Sequence, residues 1–155
     1  MLVEDCLACN LLAGKLKAPG GVIYEDNYWI VEHSLSPALL RGYLIIKLKR
    51  HCEHLAELTP EEAIALGTVI QKTCFALSRV INPAKIHVSS WGEQVKHLHF
   101  HVIPRTSDLP VGSLKLLIYL QIKKLLNKLG LTKLVSEEEA AEVAAQLRQE
   151  FENRY

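Results

Sequence analysis

An excess of charge of either sign is the first thing this 155-residue chain lacks: 18 Lys and Arg stand against 17 Asp and Glu, for a formal net charge of +1. A chain so balanced has no broad positive field with which to hold a nucleic-acid backbone, and this excludes a long nucleic acid as partner. Long apolar runs are also missing. The most apolar stretch, 114–126, is broken by Lys115, Gln121, Lys123 and Lys124 and is too short to cross a bilayer, so no membrane partner is expected. The opening MLVEDCLACN has acidic residues ahead of any basic one and no sustained apolar run. It reads as neither a secretory nor a transit signal and predicts a cytoplasmic protein. Cysteine is sparse, and the four present are read in that compartment as thiols or metal ligands rather than disulfides. There is no repeat, low-complexity tract or Pro/Gly/Ser-rich linker, and at 49% hydrophobic residues the length suits one compact domain rather than two.

What is there reads as α+β. GVIYE, NYWIVEH and GYLIIKL have the pattern of strands, the last two separated by the turn-prone SLSPALLRG, and together they predict an early meander. Thr59-Pro60-Glu61-Glu62 then supplies an N-cap, a proline in the first turn and a capping-box glutamate. The helix it opens carries Ala63, Leu66, Ile70, Cys74 and Leu77 at intervals of three or four and stops at Asn82-Pro83. KIHVSSW and KHLHFHVI follow as antiparallel neighbours joined through Gly92. A basic helix is predicted from Ser113 to Leu129, closed by Gly130. Another starts at Ser136, where Ser136 and Glu139 form a second capping box ahead of Ala140, Val143, Ala144, Leu147 and Phe151. The expected architecture is an antiparallel sheet of about five strands with a packed helix, followed by a helical C-terminal extension.

Three of the seven histidines, His97, His99 and His101, occupy alternate positions within five residues. On a strand they share one face, while Leu98, Phe100 and Val102 take the other and anchor it. Same-face neighbours lie roughly 6.5 to 7 Å apart, so one small anion such as phosphate reaches two imidazoles. Imidazole titrates near neutrality and serves as nucleophile, base or acid. The middle ring has an imidazole on each side, one to orient it and one to assist a leaving group, so His99 is the expected nucleophile. Separately, Cys6-x-x-Cys9 places two thiolates on one turn. Zinc needs two more ligands to close a tetrahedron, and histidines are the candidates.

HLHFHVIPR, residues 97–105, resembles the alternating signature of the histidine-triad (HIT) superfamily, and its trailing Pro104-Arg105 resembles the Fhit-type members. CLACNLLAG is similar to the opening C-x-x-C segment of that family, VIYEDNYWIV to its first hairpin, and GYLIIKLKRHCEHLAELTPEE to its strand, K-R-H turn and helix start. The resemblance covers roughly residues 3 to 106. It implies a HIT domain over 1–106 with 107–155 as a helical extension of the same domain, a homodimer, and nucleotidyl hydrolase or transferase activity on a small-molecule nucleotide.

Carried over residue by residue, the resemblance makes His99 the group that attacks the α-phosphate and His101 the one that contacts the phosphate and helps the leaving group depart. Gln94 falls where members place an amide on the phosphate, Glu93 where glutamine is common, and His33 where Asp or Asn meets the ribose. Structural zinc would be held by Cys6, Cys9, His51 and His97. Gly42-Tyr43 stands where most members carry Gly-His, so a fourth active-site histidine is absent. Trp29 and Trp91 have rings that can stack on a base, and both are read as sheet packing. Besides the enzyme, two other functions fit the residues: a nucleotide-binding sensor or scaffold with little turnover, and a partner-binding module using the helices beyond residue 107.

Overall fold

The computed structural model describes residues 3–35 and 37–154. A short helix α1 (Leu7–Leu12) leads into strands β1 (Val22–Glu25), β2 (Trp29–His33) and β3 (Leu44–Leu48). Helix α2 (Pro60–Val80), strands β4 (Lys85–Ser89) and β5 (His99–Arg105), and helices α3 (Ser113–Lys128) and α4 (Glu137–Arg154) complete the chain. The five strands form one sheet in the order β1-β2-β3-β5-β4, antiparallel throughout. The expected α+β architecture is the one found. No helix among the described residues is long and apolar enough to cross a membrane.

Local chemistry sets the boundaries. Asp26 Oδ1 accepts from the backbone N–H of Tyr28 and Trp29, at 2.8 and 2.7 Å, and this folds the β1–β2 turn. Both capping boxes form: Thr59 and Glu62 exchange side-chain and backbone bonds at the start of α2, and Ser136 and Glu139 do so at α4. Helix α3 ends where Gly130 turns left-handed at φ 72°.

Ladder register sorts the side chains. Val31 pairs with Ile46 and Ile46 with Phe100, while Leu44 pairs with Val102. With Trp29 and Leu48, these residues make one face of the sheet. They bury against Val69, Ala76 and Leu77 of α2 and against Val143, Ala144, Leu147 and Phe151 of α4. Of the predicted α2 row, Leu77 is buried and Leu66, Ile70 and Cys74 pack half-buried against this core, while Ala63 is exposed and Glu62, Val69, Thr73 and Ala76 are buried beside them. Apolar spacing alone misses Glu62, which goes inward to meet Arg50 at 2.6 and 2.7 Å, while its carbonyl accepts from the Trp29 indole at 3.0 Å. The opposite face carries Ile45, Lys47, His99 and His101. Part of it is covered by α3, whose Leu116 and Leu120 pack with Leu40, Tyr43, Ile103 and Leu109.

Candidate functional site

The histidine segment is not uniform strand. His99 and His101 lie in β5 and His97 just before it, and Leu98 packs in the core with Phe100 and Val102, as the alternation predicts. His97 is fully buried between α1 and the end of β3. Its Nε2–H donates to the Leu48 carbonyl at 2.7 Å, so Nδ1 keeps its lone pair and faces Cys6 and Cys9. Cys6, Cys9, His51 and His97 offer ligand atoms that all lie within 4.8 Å of one another.

The separations within this cluster test whether it fits a metal. Cys9 Sγ is 3.4 Å from His51 Nδ1 and 3.5 Å from His97 Nδ1, and Cys6 Sγ is 3.7 Å from His97 Nδ1. A tetrahedron with zinc bonds of about 2.3 Å to sulfur and about 2.05 Å to nitrogen requires sulfur–nitrogen edges of about 3.6 Å. The donor set and its spacing fit zinc. The surroundings suit the role as well: the Leu48 carbonyl fixes the His97 tautomer through a hydrogen bond, and the Glu53 carboxylate stands 3.6 Å from His51 Nε2. Burial pushes the Cys52 and Cys74 thiols up, which keeps them protonated, and neither belongs to the cluster.

A second constellation lies beside the first. His99 Nδ1–H donates to the His97 carbonyl at 2.7 Å, which leaves Nε2 as an acceptor. His101 Nε2 lies 3.1 Å from His99 Nε2, and Tyr43 Oη is 2.7 Å from His101 Nδ1. With both rings neutral, donors and acceptors match in only one order: Tyr43 O–H gives to His101 Nδ1, and His101 Nε2–H gives to His99 Nε2. Burial, and secondarily the neighbouring His99, pushes His101 down to about 4, which keeps it neutral at ordinary pH. Burial likewise pushes the Tyr43 phenol up to about 12, so it stays a donor. Tyr43 thus fills the place of the absent histidine with a group that gives a proton to the chain.

His99, His101, Tyr43 and Lys47 line a cavity of about 490 Å³, walled by α1 (Leu7, Ala8, Leu11), the 34–39 loop and the C-terminal half of α3. That volume falls in the range of small-molecule sites. Other expected residues are not brought here. Strand register puts His33 opposite Leu44, on the α2 face of the sheet, and both its ring nitrogens are occupied, by the Ser34 carbonyl and the Gly42 N–H. The residue beside it was missed. Ser34 lines the cavity, and its Oγ is buried with no protein partner. Gln94 is exposed and lines a smaller cleft of about 330 Å³ beside the cysteine–histidine cluster, while Val95 reaches the His99 cavity in its stead. Glu93 is exposed. Trp29 is sheet packing as expected, but Trp91 is 47% exposed and its ring lies 4.9 Å from that of His101.

The HIT-domain family profile matches residues 15–108. This chain belongs to the HIT family. It is 27% identical over 107 residues to protein hit of Bacillus subtilis, spanning 66% of this chain and 72% of that one. Among solved structures, a zinc-bound histidine triad family protein from Mycobacterium smegmatis superposes with a TM-score of 0.67 at 20% identity, covering 94% of both chains. The Plasmodium falciparum diadenosine triphosphate hydrolase, solved with cyclomarin A, gives a TM-score of 0.63 at 17% identity, covering 86% of this chain and 77% of its own. Both likenesses extend beyond the profile match into the C-terminal helices.

Proposed function

We propose that this HIT protein is a nucleotidyl hydrolase or transferase that opens the α-phosphate of a dinucleoside polyphosphate or nucleoside phosphoramidate through a nucleotidyl–His99 intermediate. The observation that carries this reading is the directed chain Tyr43–His101–His99, which ends on the one lone pair of the His99 ring, at Nε2, in a residue that lines the cavity. Attack forms the His99 Nε2–phosphorus bond and breaks the bond from phosphorus to the leaving oxygen or nitrogen. His99 Nδ1–H stays on the His97 carbonyl, which stabilises the charge the ring acquires. As phosphorus takes the His99 lone pair, His101 Nε2–H is released from it and hydrogen-bonds the departing atom: an oxygen leaves with its electron pair as a phosphate anion, and a nitrogen, protonated from solvent beforehand, leaves as the neutral amine. Water or another acceptor then displaces His99 and restores it.

The cysteine–histidine cluster would hold structural zinc. A closed four-ligand site supplies cross-linking rather than substrate activation, joining α1 to the segment that carries His99. Assembly as a homodimer belongs to the same reading. Leu114, Ile118, Ile122, Leu125 and Leu129, exposed along α3, supply apolar surface for it, and sedimentation measures the state directly.

The test is nucleotide release from a panel of diadenosine polyphosphates and adenosine phosphoramidates, comparing the chain with His99→Ala at equal zinc content. Turnover by the former alone, with an acid-labile nucleotidyl adduct trapped on it, is the expected result. Binding of AMP without turnover of any substrate would select the sensor reading instead.

A further inference from the structure

The rim of the cavity carries positive charge that attack on a single phosphate does not use. Of the lysines of α3, Lys123 donates to the Leu39 carbonyl at 2.9 Å and ties the C-terminal half of the helix to the 34–39 loop. Lys124 and Lys128 are exposed and line the cavity beside Asn127. Neither takes part in an ion pair among the described residues. No carboxylate among those residues lines the cavity either, and the buried ammonium there, Lys47, is already matched by Glu32. Lys124 and Lys128 are thus uncompensated charges on the cavity lining, in a chain whose formal net charge is only +1.

Helix stability does not call for this pair. Like charges four residues apart repel, and attraction to the helix dipole is confined to the last turn, which holds Lys128 but not Lys124. Their spacing suits a phosphate. Side chains at this interval stand about 5 to 6 Å apart at Cβ, and each ends in an ammonium with three N–H donors on a flexible stem. The oxygens of one phosphate set between them accept from both. That phosphate is not the one at His99. In the sheet β3 lies between β2 and β5; the 34–39 loop that holds Lys123 runs on from β2, whereas His99 and His101 are on β5. The lysines and the nucleophile therefore face the cavity from different walls, and a nucleotide whose only phosphate sits at His99 leaves the lysines unmatched.

We propose that Lys124 and Lys128 form a second phosphate subsite, so that the cavity takes nucleotides carrying a phosphate besides the one His99 attacks. The proposal rests on the nucleotide reading above and adds a second charged group to the ligand. That group is either on the sugar or farther along the phosphate chain, and the ligands of the test separate the two.

The test is isothermal titration of the zinc-loaded full chain with AMP, adenosine 3′,5′-bisphosphate and adenosine 5′-(α,β-methylene)diphosphate, whose P–C–P bridge resists cleavage. At low salt at least one of the two doubly phosphorylated ligands is expected to bind about tenfold tighter than AMP, the worth of two exposed ion pairs, and the advantage should shrink as added salt screens them. A gain with the 3′,5′-compound places the second phosphate on the sugar; a gain with the methylene compound places it along the chain. Lys124→Gln/Lys128→Gln is expected to bring the ratio to about one, and Lys124→Arg/Lys128→Arg to keep it. AMP binding that neither second phosphate strengthens, or an advantage that persists in the glutamine variant, overturns the subsite and leaves the nucleotide reading standing. Failure of all three ligands to bind overturns both. The comparison among ligands on the unmodified chain needs no variant to fold.

Discussion

Stripping the metal from the Cys6–Cys9–His51–His97 cluster should unfasten one element and leave the rest of the fold in place. Helix α1 has six residues, far below the roughly 12 to 15 an isolated helix needs in water, and it buries only Ala8 and Cys9. Its hold on the domain therefore runs through the cluster, while the core between sheet, α2 and α4 has no member in α1. A ligand present at about 100 times its dissociation constant stabilises by about 2.7 kcal/mol. For a domain of this length each 1 kcal/mol moves Tm by about 2 to 4 °C, so chelation is expected to lower Tm by about 5 to 10 °C without abolishing the transition. Hydrogen exchange gives the local reading. The Asn10 and Ala13 amides, bonded to Cys6 and Cys9 carbonyls at 2.9 and 2.8 Å, should lose protection, while Phe100 and Val102 keep theirs. Nucleotide affinity should fall together with α1 protection, because Leu7, Ala8 and Leu11 wall the cavity. Zinc absent from purified protein by elemental analysis, or a chelated protein whose Tm and α1 protection are unchanged, would refute the reasoning.

Three further outcomes are expected. Tyr43→Phe removes the donor to His101 Nδ1 and should lower kcat by about tenfold, more than it changes KM; nitrogen NMR of the His101 ring should show its tautomer preference lost, a readout that a purely packing role would leave unmoved. The Glu62 carboxyl is held below its ordinary 4.5 chiefly by the Arg50 hydrogen bond. The stability it contributes is complete above that value and is lost as pH falls from 4.5 through the folded value; Arg50→Ala should flatten this part of a Tm-against-pH curve. Leu147→Ala, at a fully buried α4 position facing the sheet, should cost about 2 to 5 kcal/mol by chemical denaturation; a cost near zero would mean that α4 is a detachable appendage.

How much of this was legible in the sequence differs from residue to residue for physical reasons. The capping boxes at Thr59 and Ser136 are local, and three residues suffice to specify each. The cysteine–histidine cluster joins residues 91 apart, such as Cys6 and His97, and no property of either segment alone brings them together. It was legible only because the donor types are rare and a family pattern links them. Strand parity places His99 and His101 correctly, but parity applies only where a strand exists. Leu98 still bonds to Leu48 and packs with Phe100 and Val102, and what alternation does not foretell is that the His97 ring reaches Cys9 while its carbonyl orients His99. The same parity, once the register is known, removes His33 from the cavity and leaves Ser34 in it, an error of one residue that reverses the face. The Lys47–Glu32 pair is the least legible feature. Read along the sequence, the two are ordinary charged residues on alternating strands and belong on a solvated face. Only the antiparallel pairing of β2 with β3, and the cover that α1 and α3 put over that face, turn them into a buried pair beside the nucleophile.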